Sequence, residues 1–133
     1  MAAKPHALAL NDLTDILDVK AIYSRNKDKC YSFAKNYDFE TANSIQQISE
    51  NNNIDMVILI TPPNQRLELV REFSKAGKHI LMLNVETDIT IGLYLAKEAK
   101  EKGIVYSVAN GDEPVACKEL YDFSIDTGFY HPF

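Results

Sequence analysis

Three short apolar runs dominate the chain: MVILI at 56–60, HILML at 79–83 and IVYSV at 104–108. In MVILI the apolar side chains follow one another without alternation, the pattern of a strand covered on both faces. Thr61-Pro62-Pro63 stops that strand, because proline has no N–H to give to a ladder. The spacing predicts a helix over 64–76 closed by Gly77, then a second helix starting at Thr87 or Asp88, running to Lys102 and closed by Gly103. Strands alternating with helices at such short intervals are joined by right-handed crossovers. The expected fold is therefore α/β and three-layered, a parallel sheet with helices on both faces.

The first part of the chain has the same rhythm. HALALNDLTDIL at 6–17 repeats apolar positions at helical spacing, and VKAIY at 19–23 has the branched character of a strand. Asn26 caps a helix predicted over 27–37, with Cys30, Phe33, Ala34 and Tyr37 along its buried side. A short strand is possible near Thr41, and Ser44 caps a short helix ending near Asn51. A final helix is expected over 113–127, with Ala116, Leu120 and Phe123 facing inward. The count is four firm strands. The run KEAKEKG reads as a solvated helix face, with Lys97/Glu101 and Glu98/Lys102 at supportive spacing.

The 133 residues fit one domain, with no room for a second, substrate-binding one. A formal net charge of −5 argues against nucleic acid or an anionic membrane as partner, since both demand basic patches. Cys30 and Cys117 are read as free thiols of a reducing compartment. His6, His79 and His131 have no neighbours at metal-ligand spacing, so no metal is expected. No segment has the length of an apolar membrane span, and the first residues lack a signal-peptide core, which points to the cytoplasm.

The segments YSR (23–25), DMVILITPPN (55–64) and AGKHIL (76–81), in this order and spacing, resemble the dinucleotide-binding Rossmann domain of the glucose-fructose oxidoreductase / inositol dehydrogenase (Gfo/Idh/MocA) family. From Met82 onward the segments MLNVETD, GIVYSVANGDEP and KELYDF are more similar to homoserine-dehydrogenase-like proteins with a C-terminal SAF domain. The first resemblance implies a Rossmann-like domain that binds NAD(P) and belongs to an oxidoreductase. It also implies a first strand and a G-x-G-x-x-G turn that cradles the pyrophosphate at a helix N-terminus. The expectation is that this strand is absent, because Met1 falls after the place where it belongs.

Several residues follow as candidates. The strand end Ser24-Arg25 stands where a carboxylate would select NAD; a hydroxyl beside a guanidinium suits a 2'-phosphate, so the preference leans to NADP. An exposed arginine after a strand is the plainer account. Thr61, Pro62, Pro63 and Asn64 occupy the segment that in the family lines the ribose and nicotinamide side, although a rigid turn with Asn64 as helix cap explains them without a ligand. Asn84, Glu86 and Asp88 form a polar cluster after the second run; acidic residues there also answer a helix dipole. The family carries Glu-Lys-Pro at this point, with the lysine near the nicotinamide. Here the chain reads Leu83-Asn84-Val85, and an amide does not titrate, so no catalytic residue is assigned. Asn110-Gly111-Asp112 would face the same rim or simply turn the chain. His79 is expected to be a hydrogen-bonded strand residue, and the Tyr106-Ser107 pair lacks a lysine that would lower the phenol pKa.

Two functions remain open. One is an oxidoreductase's NADP-leaning, NAD(P)-binding domain, holding the cofactor weakly and unable to turn over alone. The other is a non-catalytic scaffold or chimera that self-associates or binds a partner. Loss of a central strand would bare apolar edges, so either 20–23 pairs beside 56–60 or the protein forms a homo-oligomer.

Overall fold

The computed structural model describes residues 3–83, 96–98 and 100–109. The chain divides into two compact units, Met1–Ile54 and Asp55–Phe133.

In the first unit, α1 spans Lys4–Asp12, with Pro5 in its opening turn, where the missing N–H costs nothing. It starts and ends earlier than periodicity suggested, and residues 13–16 form turns. The reason is visible in its packing: α1 buries only Ala7, while Leu8, Leu13 and Ile16 remain exposed. Little apolar burial is available to extend the helix beyond Asp12. α2 spans Lys27–Tyr37, as expected, and Asn26 caps it by accepting the Lys29 N–H at 2.9 Å. Cys30 and Ala34 are its buried residues. Asp38 then takes a left-handed conformation, φ 59°, which ends the helix. α3, Ile45–Ser49, is capped by the Ser44 hydroxyl accepting from the Gln47 N–H at 3.1 Å.

The expected strand at 19–23 does not form. It contributes a single parallel bridge, Ile22 to Thr41, with Ile22 N–H donating to Glu40 O and Ala42 N–H to Ile22 O, both at 2.9 Å. Both partners are short extended segments, so the pairing stops after one bridge. The possible strand near Thr41 is the other half of that bridge.

The second unit contains a three-stranded sheet in which β1 is Met56–Leu59, β2 is His79–Leu83 and β3 is Tyr106–Ala109. The order is β1-β2-β3 and both pairings are parallel, as the crossover argument requires. The register places Val57 beside Ile80 and Leu59 beside Met82. These four side chains are buried, whereas Met56 is exposed and Ile58 and Leu81 are only half-buried. Burial in β1 therefore alternates even though the sequence does not.

The crossover from β1 to β2 is α4, Pro63–Lys75, which packs on β2 and buries Val70, Phe73 and Ser74. It ends in a Schellman-type turn: Gly77 sits at φ 72°, its N–H donates to Ser74 O, and the Lys78 N–H reaches Phe73 O. Residues 96–98 and 100–102 are helical, and Gly103, at φ 67°, follows them. Both supportive charge pairs form, Lys97 with Glu101 at 3.9 Å and Lys102 with Glu98 at 2.9 Å. Ser74 Oγ also donates to Glu98 at 3.3 Å, tying this helix to α4. The expected start of that helix and the final helix over 113–127 lie outside the described residues.

Candidate functional site

A parallel sheet gathers its loops at the C-terminal ends of the strands, which is where ligands of open α/β folds bind. In the second unit that rim begins at Thr61, two residues beyond the end of β1. Two consecutive prolines follow, so the turn has neither of their amide donors and a narrow choice of φ. Pro62 occupies the N-cap position of α4 with φ −58° and ψ 150°, and Pro63 opens the helix. Asn64 is therefore a first-turn residue, not the cap that the sequence had suggested; no side chain caps α4.

The Thr61 carbonyl accepts a hydrogen bond from Arg66 Nε at 2.9 Å. Arg66 is 2% exposed, a cation buried near the start of a helix. The Thr61 hydroxyl oxygen is sealed from solvent and meets no hydrogen-bond partner among the described residues. A buried hydroxyl left in that state costs about 1–3 kcal/mol.

Ser24 and Arg25 belong to the first unit. Both are exposed, directly after the Ile22 bridge and directly before Asn26, the cap of α2. The backbone amide of Ser24 faces the Cys30 thiol. Burial pushes that thiol above its ordinary pKa, and the Ser24 amide opposes this. Asn84, Glu86, Asp88 and Asn110-Gly111-Asp112 lie outside the described residues. His79 is occupied in the sheet, its Nδ1 accepting the Val105 N–H at 2.9 Å.

A hollow of the first unit, about 570 Å³ and lined in part by Leu10, Leu17, Tyr37 and Phe39, involves none of the candidate residues. It lies at the C-terminal end of α2, whereas Ser24 and Arg25 precede its N-terminus, about 16 Å away along an 11-residue helix. Among the described residues no three His, Cys, Asp or Glu side chains converge as metal ligands, and no helix is long and apolar enough to cross a membrane.

Arg66 escaped the sequence reading, although a signal for it exists. Arg66, Val70, Phe73 and Ser74 follow the helical repeat of one stripe, and all four are buried. An arginine in register with that stripe should have been read as an inward-facing cation.

Residues 1–109 match the model of the Gfo/Idh/MocA oxidoreductase family, described as an NAD-binding Rossmann fold. The chain belongs to that family. The match runs well past Met82, where the homoserine-dehydrogenase-like resemblance begins. No curated protein matches the chain significantly. Solved structures do. A candidate myo-inositol dehydrogenase from Sinorhizobium meliloti aligns at 22% identity and TM-score 0.72, over 92% of this chain and 38% of its own. Biliverdin reductase from Synechocystis, in complex with biliverdin and NADP+, aligns at 20% identity and TM-score 0.70, over 81% and 34%. Levoglucosan dehydrogenase, in complex with NADH and levoglucosan, aligns at 23% and 0.70, over 80% and 31%. These likenesses establish the Rossmann-like fold. The chain spans about a third of the length of the structures it matches.

Proposed function

We propose that the chain is the NADP-preferring dinucleotide-binding domain of a cytoplasmic Gfo/Idh/MocA oxidoreductase, and that it turns over substrate only together with further polypeptide that supplies a substrate site. The observation that carries this is the buried, unpartnered hydroxyl of Thr61 at the C-terminal rim of a parallel sheet. A ribose hydroxyl or a carboxamide fits that atom, since each can exchange a hydrogen bond with a threonine hydroxyl. Pro62, Pro63 and Asn64 shape the turn around it, and Asn84 and Glu86 add polar groups that orient a ligand without acid–base chemistry.

Arg25, with Ser24 beside it, receives the 2'-phosphate of the adenosine end. A guanidinium pairs with phosphate through two parallel N–H bonds, and its exposure leaves it accessible from solvent. When bound, the nicotinamide supplies hydride transfer. The chain's own residues bind and orient. Asn84 replaces the family lysine and carries no titrating proton, which supports a binding role over a self-sufficient catalytic one. The likeness of the chain from Met82 onward to homoserine-dehydrogenase-like proteins stays a proposal about origin.

Isothermal titration of the full chain with NADPH and NADH tests the assignment. The expected result is saturable NADPH binding with a dissociation constant of about 1 mM, and weaker NADH binding. Heat indistinguishable from dilution at millimolar NADPH would overturn it.

A further inference from the structure

Arg66 is expensive where it stands. Burial strips its guanidinium of water at a cost of several kcal/mol unless hydrogen bonds compensate, and the positive end of the α4 dipole adds to the penalty. One of the bonds that offset this cost runs from Nε to the Thr61 carbonyl at 2.9 Å. That carbonyl lies beyond the end of β1, outside the strand ladder. The neighbouring prolines offer no amide, and within the turn the Gln65 N–H bonds to Pro62 O instead.

Thr61 is β-branched, with few rotamers open to it once its backbone is fixed. Whatever holds its peptide plane therefore decides where its hydroxyl stands. A lysine at 66 would keep the charge but lose the planar Nε donor that meets the carbonyl.

We propose that Arg66 is a positioning residue for dinucleotide binding: by clamping the Thr61–Pro62 peptide, it holds the Thr61 hydroxyl buried and unpaired until a ligand group takes it. The inference rests on the dinucleotide-binding function above and adds a residue that acts through Thr61.

The test is a double-mutant cycle on the full chain, with NADPH affinity measured for wild type, Thr61→Val, Arg66→Lys and the double variant. Each single change is expected to weaken binding about tenfold. The double variant should also lose about tenfold, because both changes remove one arrangement, where independent residues would lose about a hundredfold. In the ligand-free protein, Arg66→Lys should move the Thr61 methyl resonance while leaving that of Ile80 in place. Wild-type affinity in Arg66→Lys, or a multiplicative loss in the double variant, overturns the clamp and leaves the dinucleotide assignment standing. A wild type that takes no NADPH overturns the dinucleotide assignment and this proposal with it, and an unmoved Thr61 resonance shows in addition that no clamp exists.

Discussion

The imidazole of His79 accepts the backbone N–H of Val105 through Nδ1 at 2.9 Å, linking the first residue of β2 to the segment that enters β3. Backbone bonds reinforce the junction: His79 N–H donates to Asp55 O and Ile80 N–H to Val105 O, each at 2.9 Å. Because an amide can only donate, Nδ1 must be the acceptor, and the ring proton of the neutral side chain resides on Nε2. His79 is the hydrogen-bonded strand residue that the sequence suggested, at the end of β2 opposite the C-terminal rim.

Replacing it removes an acceptor without touching the Thr61 turn. His79→Phe should lower the unfolding free energy by about 1 kcal/mol, the cost of leaving the Val105 amide without its partner. Urea denaturation measures the loss, and NADPH affinity should stay within about twofold of wild type. A large loss of affinity at unchanged stability would move His79 into the binding machinery.

Gly77 offers a cleaner backbone experiment. At φ 72° it lies in the left-handed region, and a Cβ added there would meet nothing within 4 Å. Any cost of Gly77→Ala is thus conformational, not steric, and should be about 1 kcal/mol. Gly77→Asn should cost less, since asparagine tolerates this conformation better than alanine. Equal stability of all three proteins in thermal unfolding would contradict a left-handed cap.

What the sequence revealed follows from which forces are local. α2 and its Asn26 cap, β2, and the Gly77 and Gly103 stops were all legible, because capping atoms and glycine conformations act within a few residues. The strand at 19–23 was not. Branched side chains state a willingness to extend, but a ladder also needs a partner of matching length, and Ile22 finds only the Thr41 bridge. At the site, the Thr61 turn could be read from its prolines. The Arg66 clamp could not be read as a motif, since a bond from a side chain to a carbonyl five residues earlier leaves only a periodicity clue.

Cys30 makes stability depend on pH in a calculable direction. Burial is the larger influence on its thiol and raises the pKa; the Ser24 amide offsets part of that. The S–H also points to Ile22 O at 3.9 Å. The unfolded thiol ionises near pH 8.5, earlier than the folded one, so the unfolded state gives up its proton first as pH rises. The contribution is fully present below about pH 8.5 and is lost as pH climbs through the folded value. In a Cys117→Ser background, the stability difference between Cys30 and Cys30→Ala proteins should shift against Cys30 between about pH 8 and 10. A shift in its favour would mean that the Ser24 amide dominates and the thiolate is the preferred form.

The role proposed for Arg25 in cofactor choice is open to direct test, and its exposure sets the size of the expected effect. A solvent-exposed guanidinium bonded to a phosphate gains less than a buried pair, so Arg25→Ala should weaken NADPH binding about five- to tenfold and leave NADH nearly unchanged. Raising salt should shrink the wild-type preference for NADPH toward that of the variant, as expected of a screened surface contact. Asn26→Ala is the control, because it loses the Lys29 N–H acceptor and about 1 kcal/mol of helix capping right beside Arg25. If Asn26→Ala reduces both nucleotides alike while Arg25→Ala reduces only NADPH, the guanidinium itself reads the 2'-phosphate. If Arg25→Ala instead weakens both equally, the preference for NADP does not reside at this residue.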